Sequence, residues 1–200
     1  LDRLWNAGVP HICFTGGEAT LCEHLVPLVE HAEDLGQITG LLTNGRRLSD
    51  REYSTELLDA GLDHVQITVE SSDPAVHNRM VGVEGHAETI RGLQNMLAED
   101  IYVVTNTTLT KLNLPQIQKT IEFLHRLGVR AFACNSLIHS GGGKANELEL
   151  TEAELEESLP LIAERVQRLG MRFIWYTPTP YCRLNPAELE LGFKRCTAAE

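Results

Sequence analysis

The stretch His11-Ile12-Cys13-Phe14-Thr15-Gly16-Gly17-Glu18-Ala19 decides how this chain is read. A short apolar run stops at two glycines, and a carboxylate follows at once. Paired glycines let the backbone turn sharply and approach a ligand without Cβ obstruction. Glu18 then stands at the carboxyl end of a strand, where α/β folds place their ligands. A fixed carboxylate beside open backbone suits a positively charged group such as an amine. The competing reading is a tight turn with a solvated glutamate, and the rest of the chain decides between them.

Outward from that turn, short β-rich runs alternate with longer helical patterns. The spacing predicts strands at 11–15, 38–43, 64–69, 101–109, 130–136 and 171–177. They read as near-continuous apolar runs, the pattern of parallel strands buried on both faces. Helices are predicted at 22–35, 50–60, 84–99, 114–127 and 151–169. Gly36, Gly61, Gly128 and Gly170 stand where helices stop before the next strand. Asp50 and Thr151 read as N-caps, and Thr151-Glu152-Ala153-Glu154 has capping-box spacing. Pro115 sits where a first-turn proline is tolerated. Repeated strand–helix units mean an α/β protein with a parallel sheet. Periodicity alone leaves an open doubly wound sheet and a barrel both standing. Polar or glycine-rich loops follow several strands: Gly16-Gly17-Glu18, Thr43-Asn44-Gly45, Glu70-Ser71-Ser72 and Gly141-Gly142-Gly143. Loops converging on one mouth favour the barrel.

Composition narrows the function classes. Hydrophobic content of 42% with 22% charged residues is ordinary for a soluble globular protein. The net charge is −11, and no basic run exceeds Arg46-Arg47, so nucleic acid and anionic membrane surfaces are poor partners. No apolar run approaches the ~20 residues needed to span a bilayer, and no signal peptide is visible, so a cytoplasmic location is the default. The cysteines are Cys13, Cys22, Cys134, Cys182 and Cys196, an odd and scattered set unlike a secreted disulfide framework. Cys13 and Cys134 lie in apolar strands and read as small core residues. No histidines pair as HxH or HExxH, so a zinc site is not expected.

In order, the motifs Phe14-Thr15-Gly16-Gly17-Glu18, Leu42-Thr43-Asn44-Gly45, Val65-Gln66-Ile67-Thr68-Val69-Glu70, a loop with His77 and Gly82, and Val104-Thr105-Asn106-Thr107-Thr108 resemble the radical S-adenosylmethionine (SAM) enzymes. The resemblance implies a partial (βα)6 TIM-like barrel of parallel strands, here with its first βα unit truncated. It also implies a core over residues 1–177 and the start of a C-terminal extension at 178–200. The implied cofactors are SAM and a 4Fe–4S cluster. Gly16, Gly17 and Glu18 occupy the turn that holds the SAM amino group, with Thr43 and Asn44 in the next loop as further cofactor-binding positions. Thr68 and Glu70 stand where the ribose hydroxyls are contacted, Asn106 is a further SAM contact, and Leu137 with Ile138 packs near the adenine.

The sequence departs from the family pattern in places. Ala19 replaces the usual proline, Thr68 a common serine and Glu70 a common aspartate. Val81 stands where an arginine often precedes the loop glycine, leaving Arg79 as the nearby cation for the SAM carboxylate. The Cys-x3-Cys-x2-Cys motif is absent. Three thiolates must converge on three irons, which Cys13 and Cys22 cannot do, so the ligands are expected upstream of Leu1 and the chain as given should be inactive. Cys196 resembles the opening cysteine of an auxiliary-cluster extension. The implied partners are a peptide or cofactor-precursor substrate and an electron-donor protein, with hydrogen abstraction by a 5′-deoxyadenosyl radical as the reaction. Two alternatives stand beside this: a non-catalytic SAM- or nucleotide-binding barrel serving as a partner subunit, and a metal-independent lyase or aldolase. The second needs a catalytic lysine at a strand end, and Lys111, just past a strand, is the nearest case.

Overall fold

The computed structural model describes residues 1–137 and 148–178. Its strands are β1 (His11–Phe14), β2 (Ile38–Thr43), β3 (His64–Thr68), β4 (Tyr102–Leu109), β5 (Ala131–Ser136) and β6 (Arg172–Trp175). They form a six-stranded sheet in the order β1-β2-β3-β4-β5-β6. A strand order that follows the chain has no topological switch point, so the doubly wound alternative falls and the barrel-type α/β topology stands. Residues 138–147 and 179–200 lie outside the described set, and with them Ile138, the Gly141–Gly143 run, Cys182 and Cys196.

The chain divides into two compact units. The first, residues 1–69 and 83–105, carries β1, β2 and β3 with α1 (Asp2–Asn6), α2 (Leu25–Leu35), α3 (Arg51–Asp59) and α5 (His86–Leu97). Its strands pair in parallel, with Cys13 opposite Gly40 and Gly40 opposite His64. Leu41, Val65 and Ile67 are fully buried, as are Val29 and Ala32 of α2, Leu57 of α3, and Leu93 and Met96 of α5. The other face is different. Burial alternates along β3, with His64, Gln66 and Thr68 half-buried between buried neighbours. On β3 this corrects the expectation of strands buried on both faces, whereas Ala131, Phe132, Ala133 and Cys134 of β5 are buried in succession, as expected.

Gly92 explains how α5 is seated. A Cβ there would lie 2.0 Å from the Gly45 carbonyl oxygen. Glycine inside a helix costs about 1 kcal/mol relative to alanine, and here it permits backbone-to-backbone contact with the loop after β2.

The second unit comprises residues 70–82 and those from Asn106 onward, with α4 (Pro74–Val81), α6 (Ile117–Leu127), α7 (Glu152–Arg168), β5 and β6. β5 and β6 are parallel, and Phe132 stacks on Phe173 at 6.3 Å. Ile117, Ile121 and Leu124 of α6 and Leu159, Ile162 and Val166 of α7 are buried at helical spacing. The capping box at Thr151 is present, with Glu154 accepting from the Thr151 backbone at 2.7 Å.

Two local expectations are corrected. The helix predicted from residue 22 begins at Leu25, because a 3-10 turn at Ala19–Leu21 intervenes, capped by Glu18. The loop predicted around His77 and Gly82 is helix α4. Its signals lie in the sequence: Asp73 accepts from Ala75 N–H at 2.8 Å, Pro74 occupies the first turn, and Gly82 ends the helix at φ +74°.

Candidate functional site

In the first unit, the turn after β1 is built around the Glu18 carboxylate. Gly16 has φ +145°, a conformation that only glycine adopts readily, and a Cβ added at Gly16 or Gly17 would meet nothing within 4 Å. The space over this turn is therefore open. Glu18 is half-buried and anchored twice. Its Oε1 accepts from Thr20 N–H at 3.1 Å, the Thr20 hydroxyl at 2.8 Å and the Thr43 hydroxyl at 2.5 Å. Its Oε2 accepts from Asn44 N–H at 2.7 Å. The Thr43 oxygen in turn accepts from Gly45 N–H at 3.1 Å, which aims its own proton at Glu18.

A carboxylate offers about four lone-pair sites. Oε1 is fully engaged, whereas Oε2 keeps room for one more donor. The group is a rigid anion with one acceptor position free, suited to an ammonium. Asn44 is held by its own loop and by α5, its Oδ1 accepting from Arg46 N–H at 2.9 Å and its carbonyl from the Thr89 hydroxyl at 2.9 Å.

The same corner opens into a cleft of about 360 Å³ lined by Glu18, Thr20, Asn44, Arg46, Arg47 and Glu88. Arg46 Nε donates to Glu88 at 2.5 Å, and Arg47 donates to the Thr20 carbonyl while its guanidinium carbon lies 4.1 Å from the Tyr53 ring centroid. Thr68 closes β3 and is half-buried.

In the second unit, Glu70 is 8% exposed. Its Oε2 accepts from Thr108 N–H at 2.8 Å. Burial pushes its carboxyl up to about 7, against which the Thr108 hydrogen bonds act weakly. The surrounding backbone is clipped in place. Glu70 N–H donates to Nδ1 of the buried His77 at 3.2 Å, and Asn113 Nδ2 donates at 2.9 Å to both the Glu70 and Thr108 carbonyls. Sequence reasoning missed Asn113. Its signal was a polar residue in the loop after β4, and nothing local distinguishes such a residue from a solvated one.

Asn106 donates to Asn135 Oδ1 at 2.9 Å, and its own Oδ1 is buried with no partner among the described residues. Buried acceptors normally have a donor, and none of the described residues supplies one here. Leu137 is half-buried just past β5. The structure thus gathers Glu18, Thr43 and Asn44 into one corner of the first unit, while Glu70, Asn106 and Leu137 belong to the second.

The cysteines are separate from these groups. Cys13 and Cys22 are exposed and unbonded, Cys134 is buried, and its thiol is pushed well up by burial. Among the described residues no three His, Cys, Asp or Glu side chains gather as metal ligands, so these residues do not fit an iron–sulfur cluster. Neither is any described helix long and apolar enough to cross a membrane.

Residues 1–124 match the Radical SAM superfamily. The chain belongs to that superfamily. Among curated relatives, a PqqA peptide cyclase of Bradyrhizobium diazoefficiens is 31% identical over 199 residues, covering 98% of this chain and 52% of the relative. An Fe-coproporphyrin III synthase of Methanosarcina barkeri is 29% identical over 171 residues, covering 84% of this chain and 42% of the relative. The chain thus spans about half the length of the curated relatives it matches. Among solved structures, Streptococcus suis SuiB bound to the precursor peptide SuiA superposes with a TM-score of 0.78 at 16% identity, over 96% of this chain and 44% of that one. Native anSMEcpe with bound AdoMet and a Kp18Cys peptide gives 0.68 at 15%, over 86% of this chain and 52% of that one. Both superpositions show a shared fold.

Proposed function

We propose that the protein bearing this chain is a radical SAM enzyme that acts on a peptide, with SAM held by Gly16, Gly17 and Glu18. Glu18 carries the reading: it is the pre-set carboxylate with one free acceptor position, beside backbone left open by two glycines. The SAM α-ammonium takes Glu18 Oε2, and Gly17 lets the methionyl chain lie against the turn. Thr43 and Asn44 act through Glu18, fixing its orientation. Thr68 and Glu70 are proposed for the ribose hydroxyls, the orphaned Asn106 oxygen for a further donor of the nucleoside, and Leu137 for the adenine face. Membership in the superfamily and the free Glu18 acceptor support SAM as the ligand. The peptide substrate rests on the printed names of the relatives, a PqqA peptide cyclase and SuiB bound to a precursor peptide.

With a reduced cluster, SAM supplies the 5′-deoxyadenosyl radical that removes a hydrogen atom from the substrate. The cluster ligands are proposed to lie outside the described residues, with an electron-donor protein as partner. A cytoplasmic location is in keeping with an odd, scattered set of cysteines whose spacing is unlike a secreted disulfide framework.

Calorimetric titration of SAM into the full-length protein tests the reading. Glu18→Gln removes a charge-assisted bond worth ~1.5–3 kcal/mol, so SAM affinity should fall about tenfold or more. Gly17→Ala is the cleaner variant, because its Cβ meets no protein atom within 4 Å. It should leave the melting temperature unchanged and still weaken SAM. Wild-type SAM affinity in both variants removes the turn from the site.

A further inference from the structure

His11 opens β1 and His64 opens β3, and the sheet brings their rings together. The ring centroids lie 5.0 Å apart, with the planes tilted by 54°. Strand β2 stands between β1 and β3, so the two imidazoles meet by reaching across it. Gly40 makes that reach possible. It pairs with Cys13 on one side and with His64 on the other, in one row across the three strands. A Cβ at Gly40 would lie 2.3 Å from His64 Nε2 and 2.5 Å from Cε1, so the imidazole lies against bare backbone. Glycine inside a strand weakens it and often marks a close approach. Here the approaching group is the His64 ring.

The spacing has a chemical meaning. Zinc binds an imidazole nitrogen at ~2.0–2.1 Å and prefers a tetrahedral arrangement. That sets the metal about 3.2 Å from each ring centroid, and two such centroids about 5 Å apart. The Thr39 backbone is a hydrogen-bond partner of the His64 ring, the kind of outer contact that fixes a ligating imidazole. His11 is exposed and His64 half-buried, so solvent reaches the pair. The sequence carries no HxH or HExxH, and among the described residues no three His, Cys, Asp or Glu side chains gather as ligands. The sheet therefore assembles two ligands and no more. Cys13, in the same row, does not complete a trio.

We propose that His11 and His64 form a zinc site, two imidazoles from different strands with water in the remaining positions. Zinc there ties β1, the first strand of the sheet, to β3 over Gly40. Both histidines stand at the amino ends of their strands, whereas Glu18 follows the carboxyl end of β1. The site is separate from the corner proposed for SAM and does not rest on it.

The test is a calorimetric titration of zinc chloride into the full-length protein. Ligands elsewhere in the chain contribute equally to every protein compared, so the difference from wild type isolates the pair. His11→Gln and His64→Gln should each weaken this binding by at least the tenfold or so that losing an outer contact costs. The double variant should lose no more than either single one, because the two rings act as a unit. His11 is exposed, so His11→Gln should melt at the wild-type temperature in chelator and lose the rise that zinc gives wild type. Gly40→Ala keeps both imidazoles but displaces the His64 ring, and should weaken zinc as well. Cys13→Ser and His24→Gln should bind as wild type does.

Zinc binding that is the same in wild type and the double variant overturns the site and leaves the rings as an aromatic contact, which has the same spacing. Additive losses in the two single variants also overturn it, marking two independent histidines. Loss of the same binding in Cys13→Ser assigns the metal to a thiolate and overturns the two-imidazole site.

Discussion

Glu70 shows how a single buried carboxyl sets a measurable property. It is 8% exposed, and burial raises it from the usual 4.5 to about 7. The folded state therefore binds its proton more tightly than the unfolded chain does. Where the folded protein holds more protons, stability falls as pH rises. The expected loss runs from about pH 4.5 to pH 7 and amounts to roughly 3 kcal/mol at 1.36 kcal/mol per unit. Glu70→Gln removes that slope, so urea unfolding at pH 5 and pH 8 should give more nearly equal midpoints in the variant than in wild type. An unaltered slope in the variant assigns the pH dependence to another group. The position of Glu70 after β3 was visible in the sequence. Its burial was not, because His77, Thr108 and Asn113 come from three other segments.

At the scale of an element, α5 is defined by close approach. Its apolar positions Leu93 and Met96 are readable as one helical face, and both are fully buried. The reason for a glycine at position 92 is not readable, since it lies in the Gly45 carbonyl of a different segment. Gly92→Ala gains about 1 kcal/mol in helix propensity and loses more to overpacking, typically 1–3 kcal/mol. A Cβ 2.0 Å from a backbone oxygen cannot be relieved by a rotamer change. The net outcome should be a lower melting temperature, and a variant as stable as wild type would show that α5 can shift freely. The same contrast separates α4, whose cap signals were present and unread, from the 3-10 turn after Glu18. That turn exists because Glu18 folds back onto Thr20 N–H, a bond that competes with starting the helix at once.

At the scale of the whole molecule, a ligand that binds only the folded state stabilises it by mass action. SAM at about a hundred times its dissociation constant should stabilise the full-length protein by about 2.7 kcal/mol, read as a rise in melting temperature. Glu18→Gln at the same SAM concentration, with affinity about tenfold lower, should lose about half of that rise. A full shift in the variant would mean that SAM binds elsewhere. The topology needed for this was largely legible: each strand lies within two residues of its expected bounds, because buried apolar runs and glycine stops are local signals. The polar face of β3 was legible and unread, because His64-Val65-Gln66-Ile67-Thr68 alternates polar and apolar residues with the period of a half-exposed strand.

Amino-acid order by itself determined the α/β class, the strand–helix alternation, the glycine turn with its carboxylate, and the motif order that places the chain in its superfamily. These depend on periodicity, turn chemistry and residue type, all of which act over a few neighbouring residues. Only the tertiary structure decided that Glu18 is anchored by Thr43 and Asn44 with one acceptor position left, that Glu70 is buried, and that Arg46 shares a cleft with Glu18. Each of these depends on groups far apart in sequence meeting in space, where the hydrogen-bond partners and local dielectric are set. Gly16, Gly17 and Glu18 mark the proposed site; the corner after β2 gives Glu18 its orientation.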